Sequence, residues 1–583
     1  MAEYLSPGVY VEEFDSDARL TEGVGTSTAG FIGVAERGPV EGSPRMITNF
    51  AEFIRNYGGY LPASVFGNYR FLAYAVEYFF RNGGSRCFVM RVAPQDAVCA
   101  EGAAPAGEPP VLSLKAKEPG LWGNGIRVSI VPSSKAKTQI LEVIETASGK
   151  CYTVKNGSGF MKGDVVAFCD GTETVINRVV KSRDNILIFE KEFEEDVVDK
   201  SLLPRKTIST CEFSMEVRYK DQVENYDNLS FNREAPGFVE TAKSNLVSVM
   251  YMGETEEKIK TPFERLLKGQ EAAVSISLSG GSNGNVLEMK ADDFIGEDKG
   301  VGKRTGIQAF LDNDTVSIMA VPGITDPKVQ LSLVAHCENL ASRFAVLDIP
   351  QDARKVQDIK NHRGIFDSSY AALYHPWLTV YDSLDKKNIQ IPPSGSVAGI
   401  YARSDNERGV HKAPANELVS GCVGLDIQFT KGEQDILNPE GVNLIRSFPG
   451  QGICVWGART AGSDTAWKYI NVRRLFIFIE ESIKASTNWA VFEPNDEILW
   501  NRVQRTIEAF LTSLWRDGAL AGTTTDEAFF VNIGKSTMTQ DDIDNGRLIC
   551  VIGVAPVKPA EFIIFRITQK TGDSRQQEEA MER

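Results

Sequence analysis

The chain has 583 residues, of which 78 are acidic and 63 basic, giving a formal net charge of −15. That balance excludes a nucleic-acid backbone as the main partner, because phosphate binding needs clustered Lys and Arg. No apolar run approaches the roughly 18 residues that cross a bilayer, so stable membrane insertion is not expected. The opening MAEYLSPG carries Glu3 and Pro7 with no apolar stretch behind them, which is not the pattern of a signal peptide. Nine scattered cysteines without a CxxC pair read as reduced, buried thiols of a chain made in a cytoplasm.

In chain order, SPGVYVEE (6–13) comes first. It is an extended, alternating stretch containing Val9, Tyr10 and Val11 and followed by Phe14, with no turn that would fold it back. Its pairing partner must lie far away or on another molecule. TAGFIGVAERG (28–38) is strand-like, FLAYAVEYFFRNGG (71–84) is a helix stopped by glycines, and CFVMRV (87–92) is a strand. VCAEGAAPAGEPPV (98–111) reads as a linker. Strand signals dominate from 112 to about 280, and Lys150–Leu203 reads as a small β-barrel inserted in a larger β unit. TVSIMAV (315–321), a helix over 329–344 and FAVLDI (344–349) form a βαβ unit and so predict a parallel sheet. Two strong helices follow, over about 472–483 and 495–518, and then strands at 527–533, 547–554 and 561–567. The last 16 residues are polar and charged, and a loose tail is expected there.

Tests for catalytic chemistry find little. The four histidines are in no metal-ligand spacing; His336 and His375 read as packed structural groups, while His362 and His411 are loop candidates. GVGKRTG (300–306) fails the phosphate-loop pattern, because Arg304 follows the Lys where Ser or Thr is required. The GxSxG spacing occurs at GGSNG (280–284), which reads as part of a turn-rich linker, not as a nucleophile elbow. Asp348, at the end of a parallel strand, reads as a solvated strand-end acid. No cofactor, metal or catalytic residue is expected.

IPPSGSVAGIYARSDNERGVHKAPAN (391–416) resembles the motif region of contractile tail sheath proteins of bacteriophages and related injection machines. The likeness continues through LNPEGVNLIRSFPGQGICVWGARTA (437–461), YINVRRLFIFIEESI (469–483), FEPNDEILWNRV (492–503) and APVKPAEFIIFRI (555–567). SPGVYVEE and TAGFIGVAERGP resemble the family's amino-terminal signature. The resemblance implies a six-fold helical homopolymer around an inner tail tube, also meeting baseplate and terminator or cap proteins, that shortens in one irreversible stroke. It implies assembly in the bacterial cytoplasm, as part of a virion tail or of an injection particle. It also implies terminal arms that add strands to a sheet of a neighbouring subunit. EFIIFRI fits such an arm, because Phe562 and Ile564 face one way and Ile563, Phe565 and Ile567 the other, and a strand apolar on both faces needs cover on both.

The expected fold is mixed α+β and multidomain. It has an N-terminal arm (1–22), a first core segment (23–97), the linker (98–111) and a β-rich outward domain (112–285). An α/β subtilisin-like domain (286–465), a C-terminal domain (466–558) and a C-terminal arm and tail (559–583) complete it. Arg459 offers a rigid fork for a carboxylate or carbonyl. Arg473 and Arg474 open a helix, where acids are normally favoured; an acidic lattice partner and an intradomain salt bridge both explain them. Arg502 and Arg505, on the polar face of the 495–517 helix, are candidates for tube contact. The rival functions are an α/β hydrolase, which lacks its nucleophile elbow, and a non-contractile shell or surface-layer protein, which would lack VWGART and FEPNDEILW.

Overall fold

The computed structural model describes residues 23–105, 110–146, 149–169, 174–192, 207–253, 261–267 and 273–564. Val9, Tyr10, Val11 and Phe14 of the expected N-terminal arm, and Phe565 and Ile567 of the C-terminal arm, lie outside the described residues. The chain divides into two compact units, one made of Met1–Phe31, Tyr74–Phe88 and Asp314–Arg583, the other of Ile32–Ala73 and Val89–Asn313. Residues 286–313, expected with the α/β domain, thus fall in the second unit.

The first unit is built on a parallel sheet. Ala29–Val34 pairs with Ile318–Ala320, which pairs with Phe344–Asp348, then Ala371–His375, then Val442–Phe448, every pairing parallel. Gly452–Val455 turns back antiparallel on Val442–Phe448, and Glu417–Leu418 closes that edge. The continuous apolar runs of these strands follow from burial on both faces, as in Phe344–Asp348 and Ala371–His375, where every residue is buried. The βαβ unit forms in register, Ile318 opposite Phe344 and Met319 opposite Ala345, around the helix Pro327–Leu340. Asp326 caps that helix by accepting from Lys328 N at 2.8 Å, and Pro327 fits its first turn.

The helix Ser394–Arg408 explains the PSGSVAG motif by packing. A Cβ on Gly395 would stand 2.4 Å from Ala75 Cα, and one on Gly399 2.4 Å from the Phe79 carbonyl oxygen. The two glycines let this helix lie directly against the backbone of the helix Leu72–Arg81. Asn82, just after that helix, locks a nearby loop: it accepts from Ser420 N at 2.8 Å and donates to the Ser420 carbonyl at 3.3 Å.

Asp348 is buried rather than solvated. Its carboxylate accepts from Gly323 N at 3.0 Å, Ser394 N at 2.9 Å and Ser394 Oγ at 2.7 Å, so it staples a strand end to a loop and to a helix start. Burial pushes its pKa up to about 6, with the hydrogen bonds from Gly323 and Ser394 pulling the other way. Three of the four histidines are buried. His336 sits beside Arg343, 3.2 Å from its guanidinium, and burial with that positive neighbour pushes it down to about 3. His362 lies in the helix Val356–Arg363, not in a loop, 2.9 Å from Gln330 Oε1, and burial lowers it to about 4. His375 is buried in its strand.

The second unit is β-rich. Gln222–Leu229, Glu212–Tyr219, Arg127–Ser133 and Val274–Ser277 form a four-stranded antiparallel sheet. Val247–Tyr251, Leu112–Ala116 and Glu101–Ala104 form a three-stranded one. The second of these corrects the linker expected at 98–111. Glu101–Ala104 is a paired strand, and a Cβ on Gly102 would stand 2.9 Å from Ile276 Cγ2, so the small residues there mark close packing, not a tether. A closed six-stranded barrel runs from Lys137 to Thr210, wider than the 150–203 range expected. Ile140, Tyr152, Val166, Phe168, Leu187 and Ile208 fill it. In the GVGKRTG loop, Arg304 pairs with Asp298 and Asp312, which takes up the cation a phosphate would need.

Two outcomes test these packing arguments. Gly399→Val should lower the stability of the subunit by about 1–3 kcal/mol or more in urea, because helix backbone blocks the new side chain. Gly432→Ala, in the helix Lys431–Leu437 with open space around it, should leave it unchanged or raise it. Asp348, with its folded pKa above that of the unfolded chain, contributes stability below about pH 4 that is lost as pH rises through 6. The stability deficit of Asp348→Asn should therefore shrink between pH about 4 and pH about 7.5; a deficit constant across that window contradicts the buried ionisation.

Candidate assembly site

The C-terminal part of the first unit carries the features that point outward. Its two helices are Ile470–Thr487 and Glu497–Arg516. The second starts on Asp496, whose side chain accepts from Leu499 N at 2.9 Å, and buries Leu499, Val503, Ile507, Phe510 and Leu514 along one stripe. Against that stripe lies a two-stranded antiparallel sheet, Phe529–Ile533 with Cys550–Val554, in which Val531 faces Ile552. No third strand pairs with it among the described residues.

After Val554 the chain stays tied to its own body for a few residues. Ala555 N donates to the Ala528 carbonyl at 2.8 Å, and Asn471 Nδ2 donates to the Val557 carbonyl at 3.2 Å. Then Glu561 is gripped. Arg459 donates Nε to Oε1 at 2.8 Å and Nη2 to Oε2 at 2.7 Å, a bidentate fork. Asn438 Nδ2 donates to Oε1 at 2.7 Å, Tyr469 OH to Oε2 at 3.0 Å, and Lys468 Nζ stands 3.7 Å away. Burial alone would raise this carboxyl, but hydrogen bonds from Arg459, Asn438 and Tyr469 and the Arg459 charge outweigh it and hold Glu561 at about 2. Directly beyond this clamp, Phe562, Ile563 and Ile564 are 72%, 74% and 80% exposed and belong to no strand. The strand expected over 561–567 therefore does not form over its described residues, 561–564, which have no strand partner among the described residues.

Arg459 is itself rigidly seated. Its N–H donates to Asn443 Oδ1 at 2.7 Å, and Asn443 Nδ2 donates to the Arg459 carbonyl at 2.8 Å and to the Leu373 carbonyl at 3.2 Å. Asn443 belongs to the central strand Val442–Phe448. Gly457 makes this possible, since a Cβ there would stand 2.8 Å from Asn443 Oδ1. The VWGART motif thus shapes a socket for one guanidinium.

Of the two explanations for Arg473 and Arg474, the intrachain one describes their surroundings. Arg474 forks onto Asp405 at 2.8 and 2.5 Å, donates to the Thr26 carbonyl at 3.0 Å and lies over the Tyr401 ring. Both members of the pair are buried. Thr26 Oγ1 donates to Asp405 Oδ2 at 2.7 Å, so the pair also fastens the root of the N-terminal segment. Arg473 lies over Trp467 at 3.5 Å and Tyr370 at 4.4 Å and donates to Ser369 Oγ at 3.0 Å. Arg459, Arg473 and Arg474 are all buried with intrachain partners and are not free for a lattice or tube contact. Arg505 is exposed, and Arg502 lies over Trp489 at 4.4 Å. At the head of the same helix Val491, Phe492 and Ile498 are strongly exposed, and Phe492 has φ 68°.

Sequence reasoning missed Glu561, Asn438, Tyr469, Asp405 and Thr26. Glu561 alone left a trace, as a single acid at the head of an apolar run. Among the described residues no group of His, Cys, Asp and Glu could hold a metal ion, and no helix is long and apolar enough to cross a membrane.

Comparison with known proteins places these features. Residues 301–461 match the phage tail sheath protein central domain, and residues 462–570 the phage tail sheath C-terminal domain. The chain is 27% identical over 296 residues to a prophage major tail sheath protein of Pseudomonas aeruginosa (strain UCBPP-PA14), covering 48% of this chain and 73% of that one. It is 24% identical over 298 residues to the tail sheath protein of Escherichia phage P2, covering 49% and 72%. In fold it is similar to the contracted sheath of an extracellular contractile injection system, PVC, with TM-score 0.51, 21% identity and coverage of 98% and 99%. The two matched domains meet at residue 461/462, between the Arg459 socket and the helix that carries Arg473 and Arg474. Residues 301–570 thus carry the central and C-terminal domains of the phage tail sheath family.

Proposed function

We propose that this chain polymerises as a six-fold helical sheath around an inner tail tube and that its subunits stay linked through exchanged terminal strands. The observation that carries the reading is the pairing of an offer with a vacancy in shape. Phe562, Ile563 and Ile564 are exposed apolar residues with no strand partner in the described chain, and neither strand of the sheet Phe529–Ile533/Cys550–Val554 has a second strand partner among the described residues. A two-stranded sheet is marginal alone, and an edge strand is a template for another chain's backbone. Each apolar side chain so buried contributes about 1.5–3 kcal/mol, and each ladder hydrogen bond about 0.5–1.5 kcal/mol. That supports links strong enough to hold while the bodies move.

The parallel sheet and its helices support a subtilisin-like reading of the central domain, without any proteolysis, since fold does not carry function. The β-rich unit with its barrel is placed at the outer radius, where a lattice around a tube leaves room for it; a reconstruction with the barrel facing the tube would contradict this. The subunit is made in the bacterial cytoplasm and acts in a phage tail or a phage-like injection particle, with baseplate and cap proteins at the ends of the sheath.

Deleting residues 562–583, or residues 1–16, should leave a folded subunit with an unchanged melting profile that fails to form long sheaths in negative-stain images. Normal contractile sheaths from either deletion would refute strand exchange through that arm. The flank of the helix Glu497–Arg516, with exposed Arg505 and the Val491–Phe492 loop, is placed against the tube, because exposed apolar patches rimmed by charge mark contacts. Arg502→Glu/Arg505→Glu sheaths should no longer take their length from the tube; unchanged lengths would remove the helix from that contact.

A further inference from the structure

Strand exchange links subunits only if each arm is fastened to something that does not give way. The covalent route from Phe562 back into the subunit runs through Lys558–Ala560 into the hairpin Phe529–Ile533/Cys550–Val554, which is two strands wide and partly exposed. A second route is shorter. Glu561, the residue immediately before the exposed run, reaches the central parallel sheet in two side-chain steps. Its carboxylate is held by Arg459, and Arg459 backbone is held by Asn443 of the strand Val442–Phe448, which in turn donates to Leu373 of the next strand. Asn438 and Tyr469 add donors from the ends of two further elements, the helix Lys431–Leu437 and the helix Ile470–Thr487.

We propose that the Glu561 clamp is the mechanical anchor of the C-terminal arm: it diverts tension from the exchanged strand into the parallel sheet and so keeps the small hairpin from being pulled open when the sheath shortens. The proposal rests on the strand-exchange reading above. Three features fit an anchor better than a general stabilising contact. The bidentate fork fixes direction as well as distance. The Arg459 side chain is only 8% exposed and that of Glu561 19%, so salt screens the pair little. And every donor on this carboxylate lies on a residue outside the hairpin that the arm grows from. An ordinary hairpin staple would point the other way.

The test uses Glu561→Gln in the full chain, assembled and then triggered to contract, beside the native protein and the 562–583 deletion. The expected result is a subunit that folds, melts below the native one because Arg459 loses its charged partner, and still assembles. On contraction, its intact sheaths should fall roughly tenfold or more relative to fragments, the factor that losing one charge-assisted contact gives. Glu561→Gln sheaths that contract in one piece at native frequency overturn the anchor. So does a Glu561→Gln subunit that fails to fold, because the carboxylate would then belong to the subunit's own stability. The 562–583 deletion separates the two readings. If it forms normal sheaths, strand exchange through this arm is wrong; if it fails while Glu561→Gln contracts intact, only the anchor is wrong.

Discussion

A charge-assisted fork between Arg459 and Glu561 ties the chain to its own body immediately before the exposed run Phe562, Ile563 and Ile564. On one side of the fork the chain is tied to its own body at Ala555, at Val557 and then at Glu561 itself. On the other side three apolar residues in succession stand in solvent. A soluble subunit does not ordinarily expose such a run, and the position of the clamp makes the exposure a consequence of design. The arm is aimed and held, but not covered. In the proposed sheath, the strand edge of a like subunit supplies the cover.

The same logic orders the interior. The N-terminal segment is pinned at its root by Thr26 on the buried Arg474–Asp405 pair, as the C-terminal arm is pinned by Glu561 on Arg459. In both places an arginine in the core receives the base of an extension. Removing one member of such a buried pair costs far more than the pair contributes net, so these arginines belong to the architecture and are not available to a tube or a lattice neighbour. In the proposed sheath, contact with the tube is assigned to exposed groups such as Arg505 and Phe492.

Much of this was legible in the sequence, and the failures have definite causes. The parallel sheet could be read from apolar strands around a helix, because burial on both faces leaves runs such as FAVLDI without alternation. The two C-terminal helices could be read from their stripes. The socket for Arg459 was half legible: an Arg after a Gly at a strand end announces a fork, but its partner lies 102 residues away and no spacing rule reaches that far. Arg473 and Arg474 announced partners, because helix starts disfavour unpaired cations, but the choice between a lattice acid and an intrachain one was not legible, since Asp405 lies 69 residues from Arg474. The Ala- and Gly-rich 98–111 stretch looked like a linker because small residues serve both for freedom and for close approach, and only the neighbour Ile276 decides between them. Asp348 was misread for the same reason, since its three donors come from residues far along the chain.

The most direct measurement is a cryo-electron-microscopy reconstruction of the assembled sheath at a resolution that traces backbone. The account predicts continuous density from Glu561 of one subunit, still held by its own Arg459, into a strand paired along an edge of the Phe529–Ile533/Cys550–Val554 sheet of a neighbour. Density that turns back to pair residues 562–567 with the subunit's own sheet, with no strand crossing between subunits, would contradict it.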